Sequence, residues 1–132
     1  MDDLLDLDAV DLATRIAEGT VSPLAACRAA VDRLDAVDPT LSAVVWRAAT
    51  IDPPPGPRGP LWGVPTLLKD SLAMLAGTPT TSGSAWLRDA VAPADSELVA
   101  RAKRAGLVVL GKTSTPELGL VPVTEPHAFG PT

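Results

Sequence analysis

The residues best suited to chemistry are Lys69 and Asp70, which close the run Gly59-Pro60-Leu61-Trp62-Gly63-Val64-Pro65-Thr66-Leu67-Leu68-Lys69-Asp70. An open α/β sheet presents its reactive groups outside the C-terminal ends of its strands. A lysine ending a short apolar strand is therefore a candidate catalytic amine. Val64 to Leu68 is apolar enough to be buried on both faces of a parallel sheet, which would set Lys69 beside a dry core. The same pattern also describes a strand whose last residue merely reaches solvent. Asp70 has two readings, a turn carboxylate that accepts backbone amides or a partner that orients Lys69. The first is preferred, because an ion pair would keep the lysine charged and a base must be neutral.

Other residues invite chemistry and mostly lose it on inspection. Ser71, Ser82, Ser84 and Ser96 are possible nucleophiles, but none lies in a Gly-x-Ser-x-Gly elbow, so turn and cap roles are preferred. Gly106-Leu107-Val108-Val109-Leu110-Gly111-Lys112-Thr113 fits the phosphate-loop pattern G-x-x-x-x-G-K-[ST] letter for letter. Its context is wrong for P-loop nucleotide binding. Leu-Val-Val-Leu wants burial as a strand, a helix precedes the first glycine, and Pro116 allows only a short helix afterwards. Lys112 is instead expected to support the loop after the strand. His127 is the single histidine, so no two-histidine zinc site can form, and its near-terminal place predicts solvent exposure. Cys27 permits no internal disulfide and is expected to be an inert core thiol.

The elements that must position Lys69 follow from capping and periodicity. Asp8 caps a first helix with an apolar stripe of Leu12, Ala13, Ile16 and Ala17, ended by Gly19. Ser22-Pro23 opens a second helix, with Leu24, Cys27, Val31 and Leu34 on its packing face, and Asp38-Pro39 is predicted to stop it. Leu41 to Trp46 reads as a strand, and Ile51 to Arg58, rich in proline, as a stiff loop. After the lysine strand come the turn Gly77-Thr78-Pro79-Thr80-Thr81-Ser82-Gly83-Ser84 and a helix from Asp95 to Ala105. Asp95 caps that helix, Leu98, Ala102 and Ala105 form its packing face, and Gly106 ends it. Leu107 to Leu110 is the returning strand, parallel to Val64–Leu68 through a right-handed crossover.

In this order the lysine strand, the threonine- and serine-rich turn and the Gly106–Thr113 segment resemble the opening of the amidase signature family. The resemblance runs from about Val10 to Thr132 and is densest from Gly59 to Thr113. The ending Thr124-Glu125-Pro126-His127-Ala128-Phe129-Gly130-Pro131-Thr132 is similar to the segment that precedes the family's glycine- and serine-rich signature. One departure is the Ile51–Arg58 loop, where the family usually carries a further helical segment. The resemblance implies hydrolysis or transfer of carboxamides by a Ser, cis-Ser, Lys triad, with Lys69 as the triad lysine. Both serines and the oxyanion amides would lie beyond Thr132, and Thr80, Thr81, Ser82, Gly83 and Ser84 would line the substrate pocket. A lysine of pKa about 10.4 must come down to roughly 7 to 8 to act as a base, about 3 to 5 kcal/mol that burial must supply.

The expected fold class is therefore α/β. N-terminal helices (1–40) lead into the first parallel strands of a mixed, incomplete amidase-type sheet (41–132). The 132 residues are 46% hydrophobic with one Phe and three Trp, so the core is aliphatic, and the formal charge of −5 argues against nucleic acid. No apolar run is long enough to span a bilayer, and Met1-Asp2-Asp3 is wrong for a signal peptide, so the cytoplasm is the expected compartment. No cofactor or metal is expected. The expected partner is a small-molecule amide in the complete protein, with association, including between copies, through an exposed sheet edge. Two function classes stay open: the N-terminal part of an amidase, inactive alone, or a non-catalytic binding or assembly module built from the same fold.

Overall fold

A computed structural model describes residues 4–55 and 58–132; Met1-Asp2-Asp3, and Gly56 and Pro57 of the proline-rich loop, lie outside them. The elements in order are α1 (Ala9–Ala17), α2 (Pro23–Leu41), β1 (Val44–Arg47), β2 (Pro65–Lys69), α3 (Glu97–Ala105) and β3 (Val108–Thr113), with two short 3₁₀ turns at Ala85–Leu87 and Glu117–Gly119. The strands form one mixed sheet in the order β1-β3-β2. β1 is antiparallel to β3, pairing Val44 with Thr113 and Arg47 with Gly111. β2 and β3 run parallel. Val108 N–H donates to Val64 C=O at their start, and Asp70 N–H donates to Thr113 C=O at their end.

The chain divides into two compact units, and α2, β2, α3 and β3 contribute residues to both. The first unit holds residues 1–37, 48–66 and 101–110. Asp8 caps α1, its carboxylate accepting from Val10 and Asp11 N–H. Leu12, Ala13 and Ile16 then pack with Ala26 and Val64, flanked by Val21, Leu61, Trp62 and Leu107. Ala17, predicted to belong to this stripe, is exposed, since the helix ends beside it and Gly19 turns the chain away at φ +75°. Cys27 is fully buried and its Sγ faces Gly63 C=O at 3.8 Å. Gly106 ends α3 at φ +93°, and a Cβ there would lie 2.5 Å from Trp62 Cα, so only glycine fits.

The second unit holds residues 38–47, 67–100 and 111–132. Here the sequence reading needs correction. α2 continues through Asp38-Pro39 to Leu41. A proline this close to a helix end loses a single backbone bond, and Ser42 N–H still closes the turn on Asp38 C=O at 2.7 Å. The predicted Leu41–Trp46 strand accordingly starts later, at Val44. α3 begins at Glu97 and buries Val99 completely, whereas Leu98, placed by periodicity on the packing face, is 64% exposed. The Asp95 side chain, just before α3, accepts from Ala76 N–H at 2.8 Å. β2 buries only Leu68 among its five residues, so its two faces are not both dry.

Candidate active site

The site is built at the C-terminal end of β2, within the second unit. Strand alternation sends successive side chains to opposite faces. Leu68 and Asp70 go one way and are buried, while Lys69 goes the other way and is exposed. The expectation of Lys69 beside a dry core is thus corrected. The lysine ends its strand as predicted, but on the open face.

The buried face carries a polar network that the sequence reading did not assemble. Asp70, 2% exposed, accepts from Thr81 N–H at 3.1 and 3.3 Å and from Thr81 Oγ1 at 2.5 Å. Its preferred reading, a carboxylate that accepts backbone amides, agrees with this geometry. Its charged neighbour is Lys112, whose Nζ stands 4.0 Å from Asp70 Oδ1. Lys112 also donates to Pro79 C=O and to Thr80 Oγ1, the latter at 2.9 Å. Burial pushes the Lys112 ammonium below its ordinary pKa, and Asp70 opposes that shift. Lys112 is a residue of β3 itself, not of the loop that follows. It holds the Pro79–Thr81 turn. Gly111, Lys112 and Thr113 being extended strand also removes the phosphate-loop reading, which needs a loop there.

One signal in the sequence could have found Lys112. Val108, Leu110 and Lys112 alternate with Val109 and Gly111, so a strand that buries the first two buries the third. Reading the segment as ending at Leu110 hid it.

The five turn residues assigned to a substrate pocket divide. Thr80 and Thr81 are committed to Lys112 and Asp70, and Thr81 Oγ1 also accepts from Gly83 N–H at 3.1 Å. Ser82 takes φ +50°, and its C=O accepts from Leu118 N–H. Ser84 is buried, lies at the start of the first 3₁₀ turn without capping it through its side chain, and lines a cavity of about 450 Å³ with Trp86, Leu118 and His127. A smaller cleft of about 170 Å³ is walled by Trp46, Pro79, Arg88 and Phe129 above Asp70 and Thr81. His127 is exposed as predicted. Ser96 Oγ is buried without a hydrogen-bond partner. Among the described residues no cluster of three or more His, Cys, Asp or Glu side chains could hold a metal.

The chain thus combines a mixed sheet, a lysine at the end of one of its two parallel strands, and a buried Asp-Lys-Thr network beside that strand end. Residues 21–132 match the profile of the amidase family, and the chain belongs to that family, the amidase signature enzymes. It is 41% identical to a glutamyl-tRNA(Gln) amidotransferase subunit of Acidothermus cellulolyticus, matching 100% of this chain and 28% of that one. It is 36% identical to an acylamidase of Rhodococcus erythropolis over 96% of this chain and 28% of the relative. The solved structure of 6-aminohexanoate cyclic dimer hydrolase in complex with its substrate superposes with a TM-score of 0.85 at 32% identity, over 100% of this chain and 28% of the hydrolase. The chain thus spans a little over a quarter of the length of these relatives.

Proposed function

We propose that these 132 residues supply the lysine-bearing portion of a carboxamide hydrolase and that Lys69 is its general base. On this reading they belong to a larger amidase domain, 1–40 forming its N-terminal helical segment and 41–132 the start of its α/β core. What carries the proposal is the placement of Lys69. It closes β2 at the sheet end where open α/β folds hold their chemistry, inside a segment matched throughout by the amidase profile.

Lys69, neutral, takes a proton relayed through a cis-serine from the nucleophilic serine. The serine oxygen attacks the amide carbonyl carbon, backbone amides hold the oxyanion, and the C–N bond breaks as the amine leaves protonated. Water then hydrolyses the acyl-enzyme. Both serines and the oxyanion amides come, in this proposal, from sequence outside the 132 residues. The reading places the protein in the cytoplasm, where a lone thiol such as Cys27 stays reduced. It also includes association with a second copy through the outer strands β1 and β2 and nearby apolar side chains.

The test is an amidase assay with benzamide and acetamide. The 132-residue chain is expected to show no turnover above background. Residues 21–132, put in place of the matching portion of the Rhodococcus erythropolis acylamidase, are expected to restore hydrolysis, and Lys69→Ala to abolish it. An active chimera that tolerates Lys69→Ala sinks the assignment of the base. Turnover by the bare chain that vanishes in Lys69→Ala sinks the placement of the serines elsewhere. One observation favours a second reading, a non-catalytic module: Lys69 is exposed. A folded chimera without activity would select it.

A further inference from the structure

Lys112 is the most completely buried charged side chain of the second unit, at 0% exposure, and the proposed mechanism makes no use of it. A buried ammonium is retained at a cost unless every donor finds a partner. Here the partners all converge on one place. Lys112 Nζ donates to Pro79 C=O and Thr80 Oγ1 and faces Asp70 Oδ1 at 4.0 Å, while Asp70 in turn holds Thr81 through its N–H and Oγ1. The Asp70 N–H is fixed as well, donating to Thr113 C=O at 3.0 Å on the residue after Lys112. Asp70 is therefore pinned through both its main chain and its side chain by β3 and by the turn that β3 carries.

Lys69 precedes Asp70 directly, and the direction in which its side chain leaves the strand is set by the orientation of that same peptide. We propose that Lys112 is a positioning residue for Lys69: by tying Asp70 and the Pro79–Thr81 turn to β3, it fixes the end of β2 from which Lys69 projects. The inference rests on the reading of Lys69 as the base, but its structural half does not. An arginine is a poor substitute, because its longer planar fork does not match three partners arranged around a compact ammonium. Methionine keeps the stem and removes all three donors.

Two measurements test this, one independent of activity. In the 132-residue chain, ¹⁵N–¹H spectra of Lys112→Met should keep the dispersion of a folded protein while the amide resonances of Lys69, Asp70, Thr80 and Thr81 shift and broaden. Unchanged resonances at these four positions overturn the proposal. Should Lys112→Met not fold, Lys112→Arg is read in the same way, and Lys112→Met/Asp70→Asn, which removes both charges, is expected to recover folding. If it does not, the pairing with Asp70 is refuted.

In the acylamidase chimera, Lys112→Met should lower kcat roughly 10- to 100-fold, the scale of a misplaced reacting group, with KM within about twofold. Lys112→Arg should recover less than about a tenth of the lost rate. A rise in KM with kcat retained, or full rescue by Lys112→Arg, overturns the positioning role. If Lys112→Met is silent while Lys69→Ala abolishes turnover, this proposal fails and the base assignment stands. If Lys69→Ala is tolerated, the base assignment fails first.

Discussion

Asp70 and Lys69 are neighbours in sequence with opposite surroundings, one carboxylate 2% exposed and hydrogen-bonded, one amine open to solvent. That contrast comes from the two-residue period of a strand, and it separates what holds the site from what would act in it. The turn facing Asp70 depends on a second residue with no freedom. Gly83 has φ +70°, and a Cβ there would lie 2.5 Å from Thr115 C=O. Gly83→Ala should destabilise the chain by at least about 1 to 2 kcal/mol from the left-handed conformation alone, with the backbone contact adding to it. Urea unfolding followed by tryptophan fluorescence measures the difference. An unchanged midpoint would mean that the turn relaxes at no cost.

Cys27 gives a pH-dependent prediction at the same scale. Burial, reinforced by Asp52, pushes its thiol up from 9.0 to about 11. The folded state then binds the thiol proton more tightly than the unfolded one. The associated stability is fully present below pH 9, is lost as pH rises towards about 11, and is absent from Cys27→Ala. The wild-type chain should therefore lose stability more steeply than Cys27→Ala across that interval in parallel urea titrations. The folded thiol should also stay unreactive towards Ellman's reagent at about pH 8 until the chain is unfolded. Prompt labelling of the native protein would contradict the buried setting.

Among the elements, the joint between α2 and β1 turns on Asp38. Its Oδ1 accepts from Ala43 N–H at 2.7 Å and Val44 N–H at 3.0 Å, and its Oδ2 lies 3.5 Å from Arg47 Nη2. One carboxylate thus receives the chain as it leaves the helix and aims it into the strand. Asp38→Ala should cost about 1 to 3 kcal/mol in urea unfolding, with Asp38→Asn, which keeps an acceptor, falling in between. Equal stabilities for all three chains would remove Asp38 from that role. This joint also shows where sequence reading stopped. Asp38-Pro39 reads as a terminator because proline lacks an N–H, yet that loss is slight in a last turn whose following amides are taken by the Asp38 carboxylate. Local patterns did place Asp8, Gly19 and Gly106, since caps act over a few residues, and the strand-helix-strand order placed the parallel β2–β3 pair. Leu98 was misassigned and Val99 missed because a nine-residue helix with alanines on several sides leaves its buried face to tertiary contacts. Of the candidate site, Lys69 at its strand end and the amide-accepting role of Asp70 were legible. The Lys112 network was not, because it joins residues more than thirty positions apart.

At the scale of the whole molecule, the second unit leaves large apolar side chains in water: Trp86 is 97% exposed, Leu72 87% and Leu120 78%. A scattered exposed leucine is ordinary in a soluble protein, but a fully exposed tryptophan beside Leu118 on the wall of the same 450 Å³ cavity is not. Burying such surface between copies is favourable at about 25 cal/mol per Å², against the loss of translational freedom on association. The balance favours association only as concentration rises. The weight-average mass from sedimentation equilibrium should therefore climb above that of a 13.6 kDa monomer across the micromolar range. Trp86→Ser with Leu120→Ser should hold it at the monomer value without changing the far-ultraviolet spectrum. A monomer mass at every concentration would show that these side chains do not drive association. Association that persists in the double variant would move the contact to the outer strands β1 and β2, where Lys substitutions on the exposed edge are the next variants to break it.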